Sequence, residues 1–242
     1  MHIPTFSTNA TAAAALTLLA DAGWQLLANG DWSWAYVSPD GATVARVTPW
    51  DPAYRLHIDA CLRHAGHPHL PRIDAIAPIH GDGYVVFMER LFACDAARGA
   101  VFCATLGITN ASGDATDLAA ISTAVTQASR TPGNAEAQTA ASALASLRAI
   151  LLRLLDEGAR TLPFWGGSDI RAGNLMCDTA EQIKVIDPAF LRGRAIVAAI
   201  ETGDRNLLRR ISLQNLEAFL TIPVFPAGAA TEQLLWQLRR AY

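Results

Sequence analysis

Two β-hairpin patterns in the first ninety or so residues constrain the fold of this chain more than any other feature. The stretch WAYVSPDGATVARVTP, residues 34–49, places two β-rich runs around Ser-Pro-Asp-Gly, which supplies the residue types of a tight turn. The stretch IDAIAPIHGDGYVVFMERL, residues 73–91, repeats this arrangement around His-Gly-Asp-Gly. A helical pattern, DPAYRLHIDACLRHAG, lies between them at residues 51–66. The order strand, strand, helix, strand, strand predicts a small β-rich first half.

Helical patterns lie on both sides of this β-rich segment. Residues 8–28 are rich in Ala and Leu, and we expect a short helix with its N-cap at Ser7 or Thr8 and its end near Gly23. From about residue 92, Ala, Ser and Thr dominate, interrupted by the breakers NASGD and RTPGN. The stretch AEAQTAASALASLRAILLRLLDEG, residues 135–158, predicts a long helix that is ended by Gly158. We therefore predict an α+β chain with a β-rich domain at residues 1–91 and a helical domain at residues 92–242.

Composition argues against several classes of protein. No apolar stretch reaches the roughly 20 residues that cross a bilayer, and no basic segment precedes the N-terminal Ala/Leu run, so we expect a soluble chain without a signal peptide and without a membrane partner. The net charge of -3 provides no basic field for a polyanion, which argues against nucleic acid as a partner. The four cysteines show no CxxC spacing, so we expect reduced thiols and a cytoplasmic protein, which a cell could also deliver to another cell as an effector.

One segment of the helical half concentrates polar residues that could bind a metal or take part in catalysis. GGSDIRAGNLMCDTAEQIKVIDPAF, residues 166–190, carries Asp169, Asn174 and Asp187. The runs NLM and IKVID are separated by a polar turn, and a hairpin would bring Asp187, at the end of the second run, back beside Asn174. The carbonyl oxygen of Asn and the carboxylate of Asp are hard ligands that suit Mg²⁺. Asp169, offset from this pair, would then accept a proton from an attacking hydroxyl.

This segment resembles the catalytic region of the protein-kinase-like superfamily, which includes protein kinases and aminoglycoside-type phosphotransferases. SDIRAGN matches the catalytic-loop pattern of an Asp with an Asn five residues later, and IDPAF stands where the family has its metal-binding Asp-Phe-Gly. The resemblance implies that Asp169 is the catalytic base and that Arg171 contacts the γ-phosphate. It also implies that Asn174 and Asp187 hold Mg²⁺.

The β-rich half resembles the nucleotide-binding lobe of the same superfamily. LLANGDWSWAYV stands at the phosphate-covering loop with Trp32 at its tip, and TVARV places Arg46 at the lysine that contacts phosphates in the family. VVFMERL resembles the hinge that binds adenine, and Asp59 is nearest by spacing to the glutamate that partners the family's lysine. The nucleotide-binding residues that the resemblance implies are Gly30, Ser33, Arg46, Glu89, Arg90 and Leu91.

The resemblance implies a two-lobed kinase-like fold, with a β-rich N-lobe, a compact and truncated helical C-lobe, and ATP and Mg²⁺ in the cleft between them. The implied activity is transfer of the γ-phosphoryl group to a hydroxyl, and we expect Ser or Thr of a protein as the acceptor, as in a minimal bacterial or phage-type kinase. Two alternatives stay open. One is a small-molecule phosphotransferase of the aminoglycoside type. The other is a nucleotide-binding pseudokinase that acts as a scaffold, because Arg46 replaces the family's lysine.

Overall fold

The computed structural model of the protein describes residues 3–108 and 135–242. The breakers NASGD and RTPGN lie outside these described residues. Contacts between residues divide the chain into two compact units. The first unit comprises Met1–Pro52, Ile73–Arg90 and Leu191–Tyr242, and the second comprises Ala53–Arg72 and Leu91–Phe190. One unit boundary coincides with the predicted boundary near residue 91, but the division of the whole chain into residues 1–91 and 92–242 stays a prediction.

The described residues contain both helices and strands. The helices are α1 (Ala12–Asp21), α2 (Pro52–Arg63), α3 (Ala96–Leu106), α4 (Ala135–Thr161), α5 (Gly193–Thr202), α6 (Arg205–Leu208), α7 (Leu213–Phe219) and α8 (Ala229–Ala241). The strands are β1 (Gln25–Asn29), β2 (Trp34–Val37), β3 (Thr43–Thr48), β4 (Ile73–Pro78), β5 (Tyr84–Glu89), β6 (Phe92–Ala93), β7 (Trp165–Ser168), β8 (Leu175–Cys177), β9 (Ile183–Val185) and β10 (Ala189–Leu191). A single 3₁₀ turn, Ala172–Asn174, precedes β8.

A five-stranded antiparallel sheet lies at the centre of the first unit. Its strand order is β1-β2-β3-β5-β4, so each predicted hairpin is a pair of neighbouring strands, and β3 and β5 join the two hairpins. Both predicted hairpins, the helix between them and the α+β class are therefore confirmed. Every residue of the central strand β3 except Arg46 is buried, whereas the edge strand β1 is exposed along its whole length.

Helix α1 begins later than predicted, and it ends close to Gly23, as predicted. Its N-cap is Thr11, whose Oγ1 accepts a hydrogen bond from the N–H of Ala14 at 3.2 Å, so the N-cap predicted at residue 7 or 8 is wrong. The helix ends at Asp21, and the chain then turns at Gly23, where φ is +82°. The apolar residues that follow pair with β2 as strand β1, because tertiary pairing outweighs the helical propensity of Leu and Ala.

The core of the first unit packs α1 against the sheet. Trp24, directly before β1, contacts the ring of Phe87 with 5.6 Å between ring centroids. Burial of side chains of this size contributes about 1.5–3 kcal/mol each. The fully or nearly fully buried members of this core are Ala15, Leu19, Trp24, Ala45, Val47, Ile79, Val85 and Phe87.

The second unit combines helices with two small sheets. Strands β6, β8 and β9 form one sheet in the order β6-β8-β9, and β7 pairs with β10. Helix α4 continues through Gly158 to Thr161, so the prediction that Gly158 ends this helix is wrong. The ring of Trp165 lies against Gly158, and a Cβ at this position would overlap it. The glycine therefore makes room for an aromatic ring within the helix instead of capping it.

Two of the four cysteines form a disulfide, which the sequence analysis did not predict. Cys94 and Cys177 are bonded, with their Cα atoms 5.3 Å apart and a sequence separation of 83 residues. The prediction of reduced thiols is wrong for this pair, although Cys61 and Cys103 are free. The spacing of the two cysteines carries no signal, because the register of β6 beside β8 brings them together. A cytoplasmic location stays a prediction, now without the support of four reduced thiols.

No helix among the described residues combines the length and the apolarity that crossing a membrane requires.

Candidate active site

Asp169 lies directly after strand β7, at the beginning of the turn that leads to β8. Its backbone N–H donates to the carbonyl oxygen of Pro188 at 2.8 Å, which ties this turn to the segment that follows β9. Its carboxylate Oδ2 accepts from Nδ2 of Asn174 at 2.7 Å, and the same Nδ2 donates to the carbonyl oxygen of Asp169 at 2.8 Å. The side chain of Asp169 is 26% exposed. The carboxylate is thus held in one orientation and is still accessible to solvent.

Asn174 and Asp187 lie at the same end of the β8–β9 hairpin. The strands pair in antiparallel register, and the N–H of Ile186 donates to the carbonyl oxygen of Asn174 at 3.0 Å, one residue before Asp187. The hairpin predicted from the sequence is therefore confirmed. Because Nδ2 of Asn174 donates to Asp169, Oδ1 is the side-chain atom of Asn174 that can accept or ligate.

This donor set fits a hard divalent cation. An amide oxygen and a carboxylate at one strand end are the ligand types of Mg²⁺, which keeps several waters and takes few ligands from a protein. In the part of the chain that the structure describes, no group of three or more His, Cys, Asp or Glu side chains is placed to bind a metal. Mg²⁺ held by Asn174 and Asp187 would take its other ligands from a substrate and from water.

Arg171 contacts the candidate base. Its Nε lies 2.9 Å from Oδ1 of Asp169, and its Nη2 lies 3.5 Å from Oδ2. The side chain of Arg171 is 63% exposed, so this ion pair contributes little to the free energy of unfolding. Nε of Arg171 and Nδ2 of Asn174 thus contact different oxygens of the Asp169 carboxylate and together fix its orientation. A contact of Arg171 with a γ-phosphate stays a prediction.

An ion pair between a buried lysine and a half-buried aspartate lies in the hairpin that carries Asn174. Nζ of Lys184 is 3.5 Å from Oδ2 of Asp178, and Lys184 is 8% exposed. Burial raises the pKa of the Asp178 carboxyl, but hydrogen bonds from the N–H groups of Gln182 and Ala180, with the charge of Lys184, outweigh this and lower it overall. The ionised carboxylate accepts hydrogen bonds from the β8–β9 turn and so stabilises the hairpin.

The predicted phosphate-binding residues lie in the first unit. The N–H of Gly30 donates to the carbonyl oxygen of Ser33 at 2.9 Å and closes the β1–β2 turn. Oγ of Ser33 accepts from Nε of Arg46 at 2.7 Å. The sequence predicted Ser33 and Arg46 as separate phosphate contacts, whereas in the structure the two side chains contact each other. The buried hydroxyl of Ser33 orients the guanidinium.

Trp32 is packed inside the first unit. Its ring centroid lies 5.3 Å from that of Phe219 and 6.3 Å from that of Trp50. The carbonyl oxygen of the neighbouring Asp31 accepts from the N–H of Val224 at 3.3 Å. The β1–β2 turn is therefore held by the C-terminal helical segment, a contact that no local pattern in the sequence indicates.

The predicted hinge residues lie at the end of strand β5 and directly after it. Glu89 is opposite Thr43 in the sheet, and the N–H of Arg90 donates to the carbonyl oxygen of Ala42 at 3.1 Å. Nη1 of Arg90 also donates to the carbonyl oxygen of Gly41 at 3.2 Å. The backbone N–H of Arg90 is thus used within the sheet. Binding of an adenine by this segment stays a prediction. Leu91 is buried.

Asp59 makes a local ion pair in helix α2. Its Oδ1 lies 3.0 Å from Nε of Arg55, four residues earlier. This spacing is the usual one for an ion pair on a helix surface. A role for Asp59 as the partner of Arg46 stays a prediction.

Two further residues support the site without a clear signal in the sequence. The carbonyl oxygen of Pro188 holds the backbone of Asp169. Gly99 of helix α3 lies against Ala172 of the 3₁₀ turn, where an added Cβ would be 3.3 Å from the Ala172 Cβ. A lone glycine in an Ala-rich helix was the one available hint of this close approach.

Comparison with known proteins finds similarity only among solved structures. No protein-family model matches the chain, and no curated protein matches it. The aminoglycoside phosphotransferase APH(3'')-Id from Streptomyces rimosus is 14% identical over 95% of this chain and 97% of its own, with a TM-score of 0.35. Rad53 in complex with AMP-PNP is 14% identical over 90% of this chain and 51% of its own, with a TM-score of 0.33.

A third solved structure matches the chain at a similarly low identity and TM-score. The CAK complex from Chaetomium thermophilum, bound to ATP-gamma-S, is 10% identical over 94% of this chain and 71% of its own, with a TM-score of 0.35. At these identities and TM-scores the likeness carries no inference about substrates or residue roles. Function therefore has to be inferred from the side chains of this chain.

Proposed function

We propose that the protein is an ATP- and Mg²⁺-dependent phosphotransferase that moves the γ-phosphoryl group to a hydroxyl acceptor, a Ser or Thr of a protein in our preferred form. The observation that carries this proposal is the double hydrogen bond from Asn174 to Asp169, at the strand end where Asp187 follows. A carboxylate oriented by an amide, beside a hard-oxygen donor pair, is the arrangement that phosphoryl transfer requires. The resemblance of SDIRAGN and IDPAF to kinase motifs supports the same reaction.

Asp169 is the proton acceptor in the proposed reaction. Each carboxylate oxygen has a second lone pair, so the hydrogen bonds from Asn174 and Arg171 leave acceptor capacity for the substrate hydroxyl. The hydroxyl oxygen forms a bond to the γ-phosphorus while the bond from that phosphorus to the bridging oxygen of ADP breaks. The hydroxyl proton passes to Asp169, and the bond electrons leave with ADP.

The remaining residues supply charge and orientation. Asn174 Oδ1 and the Asp187 carboxylate would hold Mg²⁺, which offsets the charge of the phosphates when it is bound. Arg46 is the residue of the first unit that we assign to the nucleotide phosphates, since a guanidinium binds phosphate oxygens in a forked geometry. Ser33 positions Arg46 through its hydroxyl.

A scaffold without transfer activity is the second candidate. The observation that favours it is Arg46, which stands where the resembling family has its lysine. Such a protein would bind nucleotide and transfer nothing. A small-molecule acceptor is the third candidate, and it differs from the first only in the product that carries the phosphate.

The test is incubation of the purified protein with γ-labelled ATP and Mg²⁺, alone and with a bacterial lysate. We expect label on protein bands. Asp169→Asn keeps an oxygen that accepts from Asn174 but removes the base, so transfer should fall about 10²–10⁴-fold while Mg·ATP binding persists. Asp187→Asn should weaken the Mg²⁺-dependent binding itself. Asp156→Asn replaces an exposed aspartate of α4 and is the matched control. It should change neither phosphoryl transfer nor Mg·ATP binding.

The outcomes separate the candidates. Label on small molecules in place of protein bands would assign a metabolite or antibiotic acceptor. Thermal stabilisation by Mg·ATP without any transfer would assign the scaffold. Full transfer activity in Asp169→Asn would refute the role of Asp169, and the absence of any nucleotide effect would refute the proposal as a whole.

A further inference from the structure

The Cys94–Cys177 disulfide lies next to the residues that we assign to metal binding. Cys177 is the last residue of β8, three positions after Asn174. Cys94 directly precedes Asp95, whose carboxylate accepts from the N–H of Arg98 at 2.9 Å and caps helix α3. The disulfide therefore bonds the beginning of one helix to the strand that extends from the candidate active-site turn.

Helix α3 makes two further contacts, one with the 3₁₀ turn Ala172–Asn174 and one with the β8–β9 turn. Gly99 is buried against Ala172, in the 3₁₀ turn that ends at Asn174, at a distance where an added Cβ would be in tight contact. Nη1 of Arg98 lies 3.2 Å from Oε2 of Glu181, and Nη2 donates to the carbonyl oxygen of Glu181 at 3.0 Å. The Arg98 contact is exposed and therefore weak. The disulfide is thus the strongest link between α3 and the β8–β9 hairpin.

We propose that the Cys94–Cys177 disulfide is a redox switch that determines how well ordered the turn Ala172–Asn174 is. In the oxidised protein α3 is held against this turn, and the side-chain amide of Asn174 keeps its hydrogen bond to Asp169. In the reduced protein the link is lost and the turn is less ordered. The consequence for divalent metal rests on the proposed function, whereas the effect on the order of the turn does not.

The chemistry of the switch is thiol–disulfide exchange with a dithiol. A thiolate of the dithiol attacks Sγ of Cys94, which is half-buried, while Cys177 is buried. A new S–S bond forms, the Cys94–Cys177 bond breaks, and Cys177 leaves as a thiolate that takes up a proton. The second thiol of the reductant then releases Cys94 and becomes part of a disulfide itself. Two electrons and two protons pass to the protein, and the dithiol is oxidised.

The other cysteines are poor competitors for this exchange. Cys61 is buried. Cys103, in α3 itself, is half-buried, and burial raises the pKa of its thiol, so it stays protonated. Cys103→Ser is therefore a matched control that changes a cysteine of the same helix and leaves the disulfide intact.

The experiment compares oxidised and dithiothreitol-reduced full-length protein by hydrogen exchange and by titration with Mg·ATP. A peptide map without reductant should first contain the Cys94 peptide linked to the Cys177 peptide. We expect amide exchange across residues 169–177 to rise about tenfold or more on reduction, and to return after reoxidation. Mg·ATP affinity should fall about tenfold, as is common when a supporting contact of a metal ligand is lost.

Variants make the test specific. Cys94→Ser should match the reduced protein in both measurements and show no further response to dithiothreitol. Cys103→Ser should respond like the unmodified protein. Equal exchange at residues 169–177 in both redox states would overturn the switch. Loss of cooperative urea unfolding on reduction would also overturn it, since the reduced protein would then be globally unfolded and not changed at one turn. A local rise without Mg·ATP binding in either state would support the switch and refute the proposed function.

Discussion

His69 is buried and contacts strand β9 of the β8–β9 hairpin. Its Nδ1 lies 2.9 Å from the carbonyl oxygen of Ile183 and 3.0 Å from Nε2 of Gln182. The ring packs 5.0 Å from that of Phe102. Burial lowers the pKa of His69 below its ordinary value of 6.5, the hydrogen bond to Ile183 opposes this, and the charge of Lys184 adds to the lowering. The folded protein therefore favours the neutral imidazole.

This shift predicts how stability depends on pH. The unfolded chain binds a proton near pH 6.5 and the folded chain only at lower pH, so the stabilising effect of neutral His69 is complete above 6.5 and is lost as the pH falls. We expect the free energy of unfolding, measured in urea, to decrease below pH 6.5 by at most about 1.4 kcal/mol per pH unit for this one group. His69→Gln should flatten the curve.

Variants of two other histidines check whether His69 causes this pH dependence. Burial also lowers the pKa of the neighbouring His67, so a residual slope in His69→Gln is expected to disappear when His67 is replaced as well. His80, which is exposed, serves as the control, and His80→Gln should leave the slope unchanged. A slope that is the same in all of these variants would contradict the assignment.

Helix α4 passes through Gly158 because an aromatic ring occupies the space where a side chain would be. Alanine is favoured over glycine in a helix interior by about 1 kcal/mol, so Gly158→Ala would stabilise an isolated helix. Here its Cβ would overlap the ring of Trp165. Overpacking of this kind costs about 1–3 kcal/mol, so we expect Gly158→Ala to lower the free energy of unfolding by about 1 kcal/mol or more.

A double-mutant cycle measured by urea denaturation tests this explanation. In a Trp165→Ala background the overlap is absent, and Gly158→Ala should then stabilise the protein. If Gly158→Ala were stabilising in the presence of Trp165, the close approach would not be what keeps glycine at this position.

The β1–β2 turn depends on a helix that is distant in sequence. Phe219 of α7 is 1% exposed and contacts Trp32, and it also packs against Trp50 with 6.2 Å between ring centroids. We expect Phe219→Ala to lower the free energy of unfolding by about 3–5 kcal/mol. Amide exchange at residues 30–33 should rise, because the tip of the turn loses its support.

An exposed aromatic residue of α8 provides the control for that variant. Trp236 is 57% exposed, so Trp236→Ala should change the free energy of unfolding by less than about 0.5 kcal/mol. Unchanged exchange at residues 30–33 in Phe219→Ala, at a temperature where the protein stays folded, would contradict the proposed dependence of the turn on α7.

The disulfide affects the stability of the molecule as a whole, independently of any effect on function. Bonding two residues that are 83 positions apart restricts the unfolded chain, and the loss of such a bond typically costs about 2–5 kcal/mol. We expect urea denaturation with dithiothreitol to give a free energy of unfolding lower by this amount than denaturation without it. Cys94→Ser should be unaffected by the reductant, and an identical midpoint with and without reductant in the unmodified protein would contradict the prediction.

Local patterns in the sequence were sufficient to predict the hairpins, helix α2 and the position of the polar site. Turn residues and alternating apolar runs act over a few residues, so the β2–β3, β4–β5 and β8–β9 hairpins could be predicted without knowledge of the rest of the chain. The β8–β9 hairpin also accounts for the placement of Asn174 near Asp187. The roles of these residues in catalysis stay predictions.

Contacts between distant residues account for what sequence reasoning missed. The disulfide between Cys94 and Cys177 requires β6 to lie beside β8, and neither spacing nor composition indicates that pairing. Gly158 has the signature of a helix end, yet the ring of Trp165 gives it a different role. Ser33 and Arg46 could each be named from the sequence, but their mutual hydrogen bond follows from the register of β2 and β3. Local propensity is a property of a few neighbouring residues, whereas these contacts exist only once the chain has brought remote segments together.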